Sequence, residues 1–297
     1  MGPLVQRLSY LAVDAIDADR LAQDTANTVG AREVGRDDEK ILMSSNRRHA
    51  EFVIHRSSEN AFRACGLEAI SAEAVDEVER RSREYGLEII TREPSLPVID
   101  KSVTFRTSEG LVFEVHTPMP RDRAMRYHGP GVHPKCLDHV NFTAADPEKW
   151  TEEMAASCGF LLSERTTGFE ISWMRASDGR HHTVAAVKSH SGGVHHISWE
   201  FDAFEDMKVL SDSLIPEERR LVWGPGRHGA GDNLFLYYHD SAGFLIECIA
   251  EMEVMNADDP VRISEPGENL SNWKVVNQWG ALPPIEWVEH FTPIRSA

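Results

Sequence analysis

Cysteine is sparse and scattered. Cys65, Cys136, Cys158 and Cys248 stand far apart, with no CxxC pair. That argues against a disulfide scaffold or a zinc knuckle and suits a reducing cytoplasm. Positive charge is also short: Lys and Arg number 31 against 48 Asp and Glu, a formal charge of −17. A surface of that sign repels nucleic acid and anionic membranes. No apolar run reaches about eighteen residues, so no transmembrane helix is expected. The opening stretch MGPLVQRLSYLAVDAIDADR lacks the basic-then-apolar pattern of a secretory signal. What remains is an ordinary globular balance, 41 % hydrophobic and 27 % charged over 297 residues, enough for one large or two medium domains.

Histidine, by contrast, is plentiful at 14 residues, clustered in RHHTVAAV and GGVHHISWEF. One carboxylate is also out of place. Glu247 lies in the apolar run FLIECIA, and a buried carboxylate is costly unless it is paired, hydrogen-bonded or bound to a metal.

The order of elements recurs. RLSYLAVDA reads as a strand, followed by a helix capped near Asp17 or Asp19. AEFVIH is a strand, residues 71–86 form an amphipathic helix with a Ser start and a Gly stop, and 102–117 form a hairpin turning at Ser108–Gly110. A Pro-, Gly- and Arg-rich linker fills 118–135. Then LDHVNFTA, DPEKWTEEMAASCG, ISWMRA, HHTVAAV, VHHISWEF, DAFEDMKVLSDSLI and LFLYYHDSAGFLIECIAE repeat the series. One offset of 133 aligns His49 with His182 and Glu114 with Glu247, while the first strand needs 129, Tyr10 to His139. The expectation is α+β: two related modules, residues 1–130 and 131–297. The core of the second runs over 135–255, and its aromatic, Pro-rich tail packs across it.

In the second module three strands each offer a metal ligand: His139, His195 or His196, and Glu247. Two histidines and a carboxylate on one face of an ion, with positions left open, is the set used by non-haem Fe(II) oxygenases. Unrelated core or rim polar residues are the competing explanation. Alternation puts His195 with Ile197, Trp199 and Phe201 on a core-like face, which favours His196 as the ligand.

The stretch 226–247 resembles the signature of type I extradiol ring-cleavage dioxygenases, of the vicinal oxygen chelate superfamily. It reads Gly226-Arg227-His228, a spacer, Leu236-Tyr237, Asp240, Gly243 and Glu247, with Ser241 where the turn usually has Pro. LDHVNF and VHHISWEF resemble the family's ligand-histidine strands, and GRHHTVAAV the strand with its acid–base histidine. The resemblance spans essentially the whole chain.

It implies tandem βαβββ modules, with His139, His196 and Glu247 as metal ligands. His182 becomes the acid–base histidine, with His181 its competitor. His228 and Tyr237 become hydrogen-bonding partners of the substrate. It implies Fe(II), preferred over Mn(II), with O2 as co-substrate, and a small aromatic diol opened beside its hydroxyls. A homo-oligomer, a tetramer or larger, is also implied by it. The first module's equivalents of the ligands are taken as Tyr10, Arg63 and Glu114. Arg63 is always a cation, so that module is expected to be metal-free and structural.

Asn141 is either a pocket amide or a satisfied strand-end amide. Trp173, Trp199 and Trp223 can line an apolar pocket, at least one of them serving the core instead. The homoprotocatechuate-cleaving branch of the family has an Arg at the place of Trp223, five residues before His228. Its loss favours a neutral, substituted or fused-ring catechol. A glyoxalase- or epimerase-like metal isomerase and a non-catalytic aromatic-binding protein are the alternatives. One register question stays open: a four-residue turn at Asp240–Gly243 would put Leu236, not Tyr237, opposite Glu247.

Overall fold

One unit, a strand, a helix and three strands, occurs four times in the chain. A computed structural model describes residues 2–296, with the backbone alone at 269. The first unit is β1 (Val5–Ala15), α1 (Ala18–Asn27), β2 (Arg32–Arg36), β3 (Lys40–Ser44) and β4 (Phe52–Arg56). The second is β5 (Ala61–Ala69), α2 (Ala72–Tyr85), β6 (Glu88–Thr91), β7 (Ser102–Arg106) and β8 (Val112–His116). The third is β9 (Cys136–Ala144), α3 (Pro147–Cys158), β10 (Leu161–Thr166), β11 (Ile171–Arg175) and β12 (Val184–Lys188). The fourth is β13 (Gly193–Glu200), α4 (Phe204–Leu214), β14 (Trp223–Arg227), β15 (Leu234–His239) and β16 (Leu245–Ala250). The tail adds β17 (Arg262–Ser264), α5 (Trp273–Val276), α6 (Ile285–Val288) and β18 (Thr292–Pro293).

Units pair into sheets. The first two make the order β2-β3-β4-β1-β5-β8-β7-β6, and the last two make β14-β15-β16-β13-β9-β12-β11-β10-β17, with β18 on β13. In each sheet the first strands of the two units pair antiparallel, and each pairs in parallel with the last strand of its own unit. This is the α+β, tandem βαβββ architecture. No helix among the described residues is long and apolar enough to cross a membrane.

Local chemistry sets the helix ends. Asp17 caps α1, Ser71 caps α2 and Asp146 caps α3, each accepting a backbone N–H from the first turn. Gly86 and Gly159 end α2 and α3 at φ of 85° and 72°, where a side chain would be strained.

The inner faces of the two sheets share one core. Phe142 of β9 meets Phe62 and Phe113 of the first sheet at 5.5 and 5.2 Å. Trp199 stands edge-on to Phe52 and belongs to this core rather than to a pocket. Each such ring contributes roughly 1.5–3 kcal/mol by burial. The tail lies on the second sheet as expected, β17 pairing with β10 and β18 with β13. It also reaches the first sheet, where Arg295 N–H donates to Phe62 O at 2.8 Å.

A bulge in β13 sets the directions of its two histidines. The register of β13 against β9 shifts between Val194 and His196, so strict alternation fails there. Val194 and Ile197 enter the core, while both His195 and His196 stay out of it. His195 therefore does not share a face with Ile197, which corrects the expectation from alternation. His196, the ligand that alternation favoured, nonetheless faces the pocket.

Candidate metal centre

Strand register brings the three ligand candidates together. Ser198 of β13 lies opposite His139 of β9 and beside Glu247 of β16. Its small side chain leaves room between them, and His196 sits two residues earlier on the same strand. His139 Nε2 is 2.8 Å and His196 Nε2 is 3.5 Å from Glu247 Oε2. One ligand atom from each of the three residues lies within 4.8 Å of the others. Two ligands about 2.1 Å from one ion and at right angles to it lie about 3 Å apart, so the set fits a single cation. Glu247 Oε2 has no partner in hydrogen-bond geometry among the described residues, despite the close approach of His139. The donors converge on a common point instead of satisfying one another.

The electrostatics call for a positive charge there. Burial alone would raise the Glu247 carboxyl, but the charge and close approach of His139 outweigh it and hold the group well below the usual range. Burial opposes a charge on His139, yet Glu247 and Asp138 raise it to about 9. A proton on His139 Nε2 or a metal ion in its place meets the same demand. Behind the ring, His139 Nδ1 donates to Asp138 Oδ2 at 2.8 Å, and Arg180 donates to Asp138 Oδ1 at 2.6 Å. A carboxylate behind a ligand histidine fixes its tautomer and raises its basicity.

His182, His228, Tyr237, Asn141, Trp173 and Trp223 line the same cavity as the triad. His182 lies two residues before β12, not on it, with its ring 4.1 Å from that of His139. His181 stands behind it with Nδ1 to Nδ1 at 2.9 Å and does not reach the cavity. Burial lowers the His182 imidazolium well below 6.5, with His139 adding to the effect. Tyr237 donates to Glu247 Oε1 at 2.6 Å, and His228 Nε2 is 3.1 Å from the same hydroxyl. Burial and the Glu247 charge push the Tyr237 phenol well above 10, so it keeps its proton. Trp223 stacks on Tyr237 at 5.6 Å. Asn141 Oδ1 is buried without a partner among the described residues, which fits a pocket amide better than a satisfied strand-end one.

One contributor was invisible in the sequence, and another was weighed there only as an alternative ligand. Trp287, from the tail, closes one wall of the cavity, and no spacing in the sequence pointed to it. His195 is buried behind His196; the doubled histidine was its only signal. A second cluster, Cys136, Asp138 and Glu200, is already bridged by the Arg180 guanidinium, at 2.6 Å from Asp138 and 2.5 Å from Glu200.

The first sheet holds the same place in a closed form. Gly66 lies opposite Tyr10 and beside Glu114, as Ser198 lies with His139 and Glu247. Tyr10 donates to Glu114, which also accepts from Ser95 N–H at 3.1 Å. A Cβ on Gly66 would collide with the Tyr10 ring, so glycine is what lets the ring lie down over that position. The equivalence of Arg63 with His196 is corrected by register. Ala12 faces Ala64 as Asn141 faces His196, so Ala64 matches His196 and Arg63 matches the bulged His195. Arg63 instead pairs with Asp14 at 2.7 Å.

No family model matches the chain. Metapyrocatechase 2 of Cupriavidus necator is 26% identical over 160 residues, 54% of this chain and 48% of that one. The match thus spans about half the length of that curated relative. The solved anaerobic substrate complex of homoprotocatechuate 2,3-dioxygenase from Brevibacterium fuscum superposes with a TM-score of 0.88 at 18% identity, over 99% of this chain and 94% of that one. A Mn(II)-bound glyoxalase from Novosphingobium aromaticivorans superposes with a TM-score of 0.84 at 22% identity, over 98% and 97%. The chain is thus similar in fold to homoprotocatechuate 2,3-dioxygenase and to this glyoxalase, and over about half its length similar in sequence to a metapyrocatechase.

Proposed function

We propose that the chain is a metal-dependent extradiol dioxygenase that opens the ring of a catechol beside its hydroxyls, with O2 as co-substrate. The observation that carries this reading is the buried convergence of His139, His196 and Glu247, with an unsatisfied carboxylate oxygen at its centre. Those three residues would hold the ion; both Fe(II) and Mn(II) accept this ligand set, and Fe(II) is the one proposed. When bound, the ion supplies a place where both catechol oxygens and O2 can meet and exchange electrons.

The remaining residues would do the proton and positioning work. His182, held neutral by burial, can take a proton from the substrate and return it. The Tyr237 hydroxyl, which stays protonated, can donate to a substrate oxygen, and His228 beside it can hold the second hydrogen bond. Trp173, Trp223 and Trp287 exclude water and face a ring. The substrate side chain would be neutral, because no Lys or Arg is among the residues lining the cavity. A substituted or fused-ring catechol fits that wall.

The first module, 1–130, would be metal-free, and the second, 131–297, catalytic. A cytoplasmic homo-oligomer, a tetramer or larger, belongs to the same reading. The glyoxalase likeness keeps a metal isomerase as the alternative.

The test is anaerobic loading with Fe(II) or Mn(II), then O2 uptake on adding catechol, 3-methylcatechol, 2,3-dihydroxybiphenyl or homoprotocatechuate. Stoichiometric uptake with a yellow product, lost in His196→Ala and Glu247→Ala, is expected. Metal bound by these residues, without O2 uptake on any diol, would move the assignment to the isomerase.

A further inference from the structure

Three rings around the metal centre lean on main-chain carbonyls of one segment, the tail after β16. Val276 O accepts from His228 Nδ1 at 2.6 Å, Ala281 O from Trp223 Nε1 at 2.8 Å, and Trp287 O from His195 Nε2 at 2.8 Å. A carbonyl has no proton to give, so each bond fixes which atom of the ring is the donor.

For His195 this fixes the neighbouring ring as well. Its own ring is 1 % exposed, and no carboxylate is among its hydrogen-bond partners, so it is held as the neutral imidazole. With its proton on Nε2, its Nδ1 must accept. The atom 2.7 Å away is His196 Nδ1, which must therefore donate. His196 Nε2 is left with a bare lone pair, and it is Nε2 that faces Glu247 Oε2. The bulge in β13 makes this possible by sending adjacent residues to the tail and to the cavity. The tail is seated closely: a Cβ on Gly193 would come within 2.6 Å of Thr292 O. The His195 ring also packs edge-on against Trp287 at 4.5 Å.

We propose that His195 is a positioning residue: anchored by the Trp287 carbonyl of the tail, it locks His196 in the tautomer that can bind a metal. The tail is thereby part of the metal centre, not only a cover. This rests on the reading of His139, His196 and Glu247 as metal ligands.

The experiment compares the wild type with His195→Asn and His195→Leu, after checking that each folds. Mn(II) affinity is measured by titration, and imidazole tautomers by 15N NMR of the metal-free protein. Support behind a ligand histidine is worth about 10–100-fold in affinity. His195→Leu is expected to lose that much, while His195→Asn, whose amide oxygen can still accept from His196, stays within a few-fold. The wild type should show His196 protonated on Nδ1, with a mixture in His195→Leu. Equal Mn(II) affinity in all three proteins, or a wild-type His196 protonated on Nε2, overturns the proposal. Failure of the wild type to bind any divalent metal would instead overturn the metal reading, with the tautomer still deciding the relay.

Discussion

Tyr237 lies directly opposite Glu247 across β15 and β16 and donates to its Oε1 at 2.6 Å. A four-residue turn would have put Leu236 there. The loop instead takes in Phe244 as a fifth residue, and pairing resumes at His239 with Leu245. One residue of loop length therefore turns the Tyr237 hydroxyl toward the ligand set. Tyr237→Phe should keep the fold and bind metal, since all three ligands remain. Turnover of a catechol should fall by about 10–100-fold, the usual effect of losing a partner behind a ligand. Metal content and kcat measured on the same sample check this. Unchanged turnover at full metal content would remove the hydroxyl from the reaction.

The cavity wall selects against charge. Glu247 and the histidines are the ionisable groups that line it besides Tyr237, and no cation answers a substrate carboxylate. Burying an unpaired carboxylate costs several kcal/mol. A neutral 3-alkyl or aryl catechol should exceed homoprotocatechuate in kcat/KM by about 100-fold or more. Trp223→Arg would put a guanidinium into that wall, at the expense of the stack on Tyr237. It should narrow the ratio by about tenfold, chiefly by raising the efficiency on the acid. A ratio near one in the wild type would mean that the side chain never enters this wall.

Much of this was legible because it is local. The Ser71 and Gly86 signals of α2 are single-residue chemistry and needed no partner. The internal repeat showed through because the same apolar alternation is needed twice. No strand was read over β2, β3, β5, β6, β10 or β14; of these, REVGR and EIIT sit half-exposed at the sheet edges, where no apolar face has to be kept. The members of the triad could be named as candidates, but only the family resemblance set them apart from unrelated polar residues, because they are joined by register across three strands. The error over Arg63 has another origin: Ala64 matches His196 at an offset of 132 and Glu114 matches Glu247 at 133, so a one-residue indel between those strands escapes a constant offset. Trp287 was beyond reach altogether, since a tail with little regular structure carries no periodicity to read.

The closed site in the first sheet predicts the metal count. Glu114 is buried and accepts from Tyr10 and Ser95, and Ala64 offers no ligand atom. One metal per chain is expected. Glu114→Ala should leave that number unchanged while stranding the Tyr10 hydroxyl and the Ser95 donors, at a cost of about 1–3 kcal/mol. Metal analysis beside urea unfolding separates the two effects. A fall in metal content without unfolding would show that the first sheet takes part in binding.

Asp240 gives the protein a pH-dependent weakness. It turns the loop between β15 and β16, accepting from Ala242 N–H and Phe244 N–H through Oδ1, both at 2.9 Å. Its Oδ2 is buried without a partner among the described residues. Burial raises the carboxyl to about 7, and Asp24 adds to the raise. In the unfolded chain it titrates near ~4. Between about pH 4 and 7 the folded state thus holds the extra proton, and stability falls as pH rises through that window. Below it both states are protonated and nothing is lost; above it the loss is complete, up to about 4 kcal/mol. Asp240→Asn keeps an oxygen for the two backbone donors and cannot ionise. At pH 8 the variant should be more stable than the wild type by about 1–4 kcal/mol, and near pH 4 the two should match. Urea midpoints at both pH values decide it. A variant weaker at pH 8 would mean that the carboxylate form carries a favourable interaction with Arg219, which pairs with Asp24 at 2.6 Å, and that this outweighs its burial.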